Sequence, residues 1–271
     1  MMRLPLFLLL FSIFLFALPV HKPVPGGIVV LPVPSVSLND EVRFVNRRGV
    51  VFKQKGQLYA LAPVPLSVKP GIYTFKVLRD GKPLYKKLIK IGPAHYAEQH
   101  LTVKNRRKVN PNPADLRRIR AEAPRKKKAK IFRSEQIPDL AMVWPAKGPV
   151  SSAFGLRRFF NGQPRSPHKG LDIAAPEGAP VRAATDGVVV DAGNFFFSGN
   201  LVFLEHGEGV MTLYAHLSKM AVEPGERVKK GQVVGFVGRT GRVTGPHLHF
   251  SVLVRGVYVD PALFLPPTGV P

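Results

Sequence analysis

From Pro138 to Phe264 no ten-residue stretch carries helical periodicity, so this half of the chain is restricted to an almost all-β fold. Strands are expected at 187–192, 201–206, 210–216, 233–237 and 248–254, with glycine turns such as Glu205-His206-Gly207-Glu208-Gly209 between them. The stretch 26–103 also reads as β, in short alternating or β-branched runs broken by Pro, Asn and Gly. Its clearest signal is a hairpin, Ile72 to Leu78 and Leu84 to Ile91, joined by Arg79-Asp80-Gly81-Lys82. Asp-Gly supplies the positive φ angles that such a turn needs. A small Ig-like β-sandwich is the expectation there.

Between the two β regions, 104–137 changes character. Asn112-Pro113-Ala114-Asp115 offers an N-cap, a proline at the first helical position and an acid in the first turn. Leu116, Ile119 and Ala123 follow at helical spacing, and Lys or Arg recurs from Lys104 to Arg133. This predicts a basic helical linker. It reads either as a tether onto an anionic wall or membrane surface, or as a solvated helix kept apart from both domains by its charge.

The chain of 271 residues suggests about two domains. Lys plus Arg number 40 against 17 Asp plus Glu, a formal net charge of +23, which favours polyanionic surroundings. Cysteine is absent, which excludes a disulfide framework, a Cys-rich zinc site, a Cys nucleophile and a lipoprotein anchor. Residues 1–19 hold an apolar run, Leu4 to Leu18, preceded by Arg3 and closed by Pro19. It falls short of the ~20 residues that span a bilayer. It reads as a secretory signal peptide or an uncleaved amino-terminal anchor. Nucleic acid is not an expected partner, because the basic run lacks interleaved aromatics and no recognised binding module accompanies it.

Two motifs carry candidate chemistry. In Pro167-His168-Lys169-Gly170-Leu171-Asp172, a His and an Asp stand four apart, which suits a helix face or one side of a strand. Gly170 and the following Ile173-Ala174-Ala175-Pro176 argue against a helix, so both are expected on an extended segment, pointing the same way. His247 and His249, two apart ahead of the alternating Phe250 to Val254, share one face of a strand. Two imidazoles and a carboxylate with a position left for water form a catalytic zinc arrangement, whereas structural zinc is closed by four residues. A single His in a β domain is more often an ordinary residue. His206, on a turn, is expected to be structural, and His95, Glu98 and His100 receive no chemistry.

Ser152-Ala153-Phe154-Gly155-Leu156-Arg157, His168 to Asp172, Tyr214-Ala215-His216-Leu217 and His247-Leu248-His249 occur in the order seen in the M23 (lysostaphin/LytM-type) peptidases. The chain resembles that family over roughly its last half, 138–266. Signal, β domain and Gln99-His100-Leu101-Thr102-Val103 resemble exported Gram-negative members. The resemblance implies one Zn2+ per chain, held by His168, Asp172 and His249. It implies His216 and His247 as the catalytic pair that handles protons and steadies the oxyanion, with either as the base. Activity is then expected on peptidoglycan cross-links or stem peptides, in the periplasm or cell envelope. Some members degraded at these positions act only as activators or wall binders, but this chain keeps all five residues.

Zinc lowers the pKa of bound water to about 7 and polarises the scissile carbonyl. Nothing here resembles the Glu of His-Glu-x-x-His enzymes, so a histidine is expected to serve as base. Phe159-Phe160-Asn161-Gly162 and 194–198 are expected as groove walls, and Arg157 as a loop brace rather than a substrate ligand. Val228 to Gly235 resembles half of a lipoyl- or biotin-carrier domain, but without the Met-flanked lysine of a carrier it supports only the β architecture.

Overall fold

A computed structural model of the protein describes residues 18–267. Most of the apolar run read as an export signal, residues 1–17, lies outside the described residues. Where that description begins, the chain enters the first β region. Ile28–Pro32, Gln57–Pro63 and Val50–Gln54 form one antiparallel sheet in that order. Arg47–Arg48, Glu41–Phe44, Gly71–Arg79 and Lys82–Ile91 form a second. The expected hairpin is present, with Asp80 at φ +50° and Gly81 at φ +75° in its turn. Alternation along Gly71–Arg79 buries Phe75 and Val77 and leaves Thr74 and Lys76 outside. Val29, Val42, Phe44, Phe75, Val77 and Ile91 fill the space between the sheets, so the two sheets form a small sandwich.

Its first sheet is coated on both faces. Ile28, Val50, Phe52 and Leu61 point away from the sandwich core and join the main core of the other half, with Leu140, Met142, Leu263 and Phe264. Burying one such side chain stabilises the fold by about 1.5–3 kcal/mol. Backbone bonds tie the same surfaces, Asp260 N–H to Gly26 O at 2.8 Å and Val20 N–H to Leu263 O at 2.8 Å. The strand Glu98–Leu101 lies within the range expected for the sandwich, yet it pairs in parallel with Arg157–Phe160 of the other half.

Among the described residues the carboxy-terminal half is all-β apart from one short 3-10 turn, Pro261–Leu263. Its main sheet has eight strands. Seven run in the order Arg227–Val228, Gly187–Phe195, Gly199–Glu205, Val210–Leu217, Leu248–Val254, Leu171–Ile173, Val150–Ser152, and Val257–Val259 pairs at the side. The strict alternation of Leu248–Val254 sends Leu248, Phe250, Val252 and Val254 into the main core. His249, Ser251 and Leu253 go to the opposite face, where Leu253 packs with Phe203, Leu213 and Ala215.

The helix Pro113–Ile131 covers part of that second face. It opens with a reciprocal capping box between Asn112 and Asp115. Charge docks it on the sheet and does not keep it apart. Arg125 forks onto Asp191, with Nε 2.8 Å from Oδ2. Arg118 donates to Asn194 Oδ1 at 2.7 Å, and Phe196 N–H donates to Glu122 at 2.9 Å. Of its apolar residues, Ala129 joins the small core on this face, whereas Leu116 is exposed. Arg117, Arg120, Lys127 and Lys128 point to solvent.

Candidate metal centre

The pairing register builds the centre. Asp172 lies directly opposite His249, and His249 opposite Ala215, so Asp172 and His249 share the face away from the main core. Leu171 and Ile173, on either side of Asp172, are buried in that core and fix its direction. His168 belongs to the segment leading into this strand, not to the strand itself. Gly170 permits the close approach: a Cβ there would stand 2.3 Å from Phe250 O and 2.9 Å from His249 Cε1. One ligand-type atom from each of His168, Asp172 and His249 lies within 4.8 Å of the others.

The hydrogen bonds orient these atoms. His168 Nδ1 is 2.7 Å from Ala153 O, an acceptor only, so Nδ1 carries the proton. The other ring nitrogen, Nε2, faces Asp172 Oδ1 at 3.0 Å, and with the ring's one proton on Nδ1 it does so with a lone pair. Two acceptors so close repel unless a cation or a proton lies between them. His249 Nδ1 faces the same Oδ1 at 2.8 Å, while its Nε2 is 3.0 Å from Ser251 Oγ. The other carboxylate oxygen, Oδ2, accepts from Arg158 Nη2. Every donor atom aimed inward thus has its partner atom anchored outward, as ligands of a bound metal usually do. Borderline nitrogen and oxygen donors in this number suit Zn2+. Burial raises the Asp172 pKa, but when a proton, in place of a cation, lies between Oδ1 and the ring nitrogens of His168 and His249, the resulting hydrogen bonds outweigh burial and hold the carboxyl below the usual range.

His247 and His216 lie alongside, ring centroids 4.9 Å apart, and His216 is 5.9 Å from the His249 ring. His247 immediately precedes its strand and sits on the His249 side by alternation. His216 reaches the centre by breaking alternation. Between the pairs Val202–Tyr214 and Asn200–Leu217 the register slips by one residue, and His216 adopts φ +67°. A bulge with left-handed backbone at a non-glycine residue costs free energy and re-aims a side chain, and such features gather at functional sites. Backbone carbonyls set both tautomers: Nδ1–H of His216 donates to Thr240 O at 2.8 Å and Nδ1–H of His247 to Gly245 O at 2.9 Å. Neither Nε2 has a hydrogen bond among the described residues, and that of His247 lies 3.8 Å from Asp172 Oδ1. Burial, then the neighbouring His247 and His249, pushes the His216 pKa well below its ordinary value, and burial lowers that of His247. Both rings are neutral near pH 7.

The carboxy-terminal segment 166–261 matches the family model "Peptidase family M23", and 21–85 matches "Peptidase family M23 N-terminal domain". A crystal structure described as a putative peptidase M23 from Pseudomonas aeruginosa is 33% identical, with TM-score 0.74, and the likeness covers 90% of this chain and 95% of that one. The chain belongs to peptidase family M23. Among curated M23 relatives, peptidoglycan DD-endopeptidase ShyA of Vibrio cholerae is 48% identical over 112 residues, 41% of this chain and 26% of the relative. DD-carboxypeptidase/endopeptidase Mpg of Neisseria meningitidis is 46% identical over 119 residues, 44% and 27% respectively. The matched part is therefore about a quarter of those relatives' length.

This M23 site includes residues that sequence reasoning passed over. Arg158, next to the Arg157 expected to brace a loop, holds Asp172 and in turn donates through Nε to Gln99 Oε1 at 2.9 Å. Gln99 Nε2 donates to Ser152 Oγ at 2.8 Å. Arg157 pairs with Glu98 at 3.2 Å, as a brace. A cavity of about 310 Å³ opens over the site, walled by Gln99, Phe160, Arg158, His216, Arg242 and His247. Phe160 thus belongs to the groove wall as expected. His206 lies elsewhere, fully buried between Asp186 O and Thr212 Oγ1.

Proposed function

We propose that this protein is an exported zinc endopeptidase that hydrolyses peptide bonds in peptidoglycan cross-links or stem peptides. One observation carries the reading: two imidazoles and a carboxylate converge on one point, and two neutral histidines present free Nε2 atoms beside it. His168, Asp172 and His249 would hold a single Zn2+, with Ala153, Arg158 and Ser251 keeping each side chain in place. When bound there, the ion supplies Lewis acidity, polarising a carbonyl and acidifying water.

The remaining work falls to this chain's own residues. A neutral His Nε2 accepts the proton of the attacking water and returns it to the leaving amine. Until it gives that proton up, the protonated ring donates its Nε2–H to the negative charge on the carbonyl oxygen. Thr240 and Gly245 hold the two rings in register throughout, so neither has to reorient during the reaction. The names of the relatives support peptidoglycan as the polymer. The amino-terminal apolar run supports export to the periplasm or cell envelope. The outward lysines and arginines of the docked helix, Arg117, Arg120, Lys127 and Lys128, support electrostatic contact with an anionic wall or membrane surface.

The test is mass spectrometry of fragments released from purified peptidoglycan by the zinc-loaded protein, with and without chelator. New peptide termini that vanish on chelation and return with zinc are expected. Wall binding without any released peptide would instead favour a non-catalytic wall-binding or activator role.

A further inference from the structure

The cavity over the centre contains a cation with nothing to neutralise it. Arg242 lies on the loop between Val233–Phe236 and Leu248–Val254 and lines the cavity with His216 and His247. Its guanidinium carbon is 4.5 Å from the ring centroids of both Phe160 and Phe197. Among the described residues its side chain has no hydrogen bond or ion pair, only these ring contacts.

The loop beneath it is fixed. Arg242 N–H donates to Phe197 O at 2.8 Å, and Thr240 Oγ1 donates to Leu217 O at 2.8 Å. Gly241, at φ +83°, leaves no room for a side chain, since a Cβ would stand 2.4 Å from Gly199 N and 2.5 Å from Phe197 O. The same Thr240 carbonyl that orients His216 therefore lies two residues from Arg242.

A guanidinium flanked by aromatic rings still has its N–H edge free, a flat fork matched to a carboxylate. The charges that act on Arg242 are those of Arg165 and Arg158, both positive. Arg158 is already matched by Asp172, and Arg165 by Val109 O and Gln163 Oε1. Burial, followed by those two arginines, pushes the Arg242 pKa down to about 10, which leaves it cationic at neutral pH. A half-buried positive charge with unused donors, facing the space where a peptide would lie, is complementary to an anion placed there.

We propose that Arg242 is a specificity residue that binds a carboxylate of the peptide substrate next to the scissile bond. This deepens the peptidase reading and rests on it for the word substrate. The carboxylate is either the free terminus of a peptide or a side-chain carboxylate.

Binding, not turnover, tests it. Three probes are titrated by calorimetry into the zinc-free and zinc-loaded protein: acetyl-D-Ala-D-Ala, acetyl-D-Glu-D-Ala amide and acetyl-D-Ala-D-Ala amide. In wild type at least one charged probe is expected to bind about 10-fold or more tighter than the neutral amide, the scale of a hydrogen bond to a charged group. The first probe reports a terminal carboxylate and the second a side-chain one. R242Q should erase that ratio even without zinc, and R242K should retain part of it. In parallel, the Arg242 side-chain N–H resonance of the wild-type protein should shift with the preferred charged probe and not with the amide, a readout that needs no variant to fold. Equal binding of charged and neutral probes by wild type, or an unchanged ratio in R242Q, overturns the proposal. Failure to release peptide from cell wall would count against the peptidase reading alone, because the zinc-free titration does not depend on hydrolysis.

Discussion

Two buried polar clusters sit at opposite ends of the same strand, Val210–Leu217, and they are built on different logic. At one end His206, Thr212 and Tyr214 form a closed chain. Ala184 N–H donates to Tyr214 Oη at 2.8 Å, Tyr214 Oη and Thr212 Oγ1 are 2.9 Å apart, Thr212 Oγ1 meets His206 Nε2 at 2.7 Å, and His206 Nδ1 meets Asp186 O at 2.7 Å. Each ring nitrogen has an oxygen of its own. At the other end, His168 Nε2 and His249 Nδ1 converge on the one oxygen Asp172 Oδ1, at 3.0 and 2.8 Å, and neither His216 nor His247 has a hydrogen bond at Nε2 among the described residues. Burial and histidine are common to both. What separates a site from a strut is whether the inward atoms satisfy each other.

The largest test of that distinction removes an inward atom. His249→Ala should abolish stoichiometric zinc, measured by elemental analysis, and peptide release together. Zinc retained at one per chain in the folded variant would sink the ligand assignment.

Next come the two free imidazoles. His216→Ala and His247→Ala should keep zinc yet lose about 10²-fold or more in peptide hydrolysis, the scale of lost acid–base and oxyanion help. Loss of metal from either folded variant would place that ring among the ligands.

The closed cluster should answer to pH instead. Burial lowers the His206 pKa from 6.5 to about 4, so below pH 6.5 the unfolded chain gains a proton that the folded one refuses. That cluster's contribution is complete above pH 6.5 and fades as pH falls toward about 4. Urea midpoints should register a loss of up to about 3 kcal/mol across that window. The His206→Gln variant should lack this component. An identical pH dependence in variant and wild type would show that His206 is not the group responsible.

A smaller effect belongs to the outward anchor of the open cluster. Arg158→Gln leaves the three ligands in place but frees Asp172 Oδ2, and should weaken zinc about 10–100-fold in a chelator competition. Unchanged zinc affinity would mean that the sheet alone positions Asp172.

Much of the fold was legible because it is local. The strand runs are short, β-branched and separated by glycine turns, and the capping sequence Asn112 to Asp115 announces the helix start within four residues. Asp172 and His249 were legible through alternation, since Leu171, Ile173, Leu248 and Phe250 supply the core side of each strand. His216 was not legible that way. Period-two alternation puts it on the face of Tyr214, and only the bulge with its positive φ turns it to the centre. Resemblance, not spacing, identified it. Arg158, Gln99 and Arg242 were missed because their partners are remote in sequence: Arg158 meets Gln99 from 59 residues away. The docking of the basic helix was missed for the same reason, since Asp191 lies 66 residues from Arg125.

The sheet coated on both faces limits how this molecule can be taken apart. Ile28, Val50, Phe52 and Leu61 complete the wall that Leu140, Met142, Leu263 and Phe264 begin, and Glu98–Leu101 occupies the edge of Arg157–Phe160. A carboxy-terminal half severed from the first hundred residues would expose an apolar wall, an unpaired strand edge and an Arg158 without Gln99. The catalytic half is thus not a transplantable cassette. In a fusion or a shortened version it should self-associate, unless a substitute surface replaces the sandwich that now covers it.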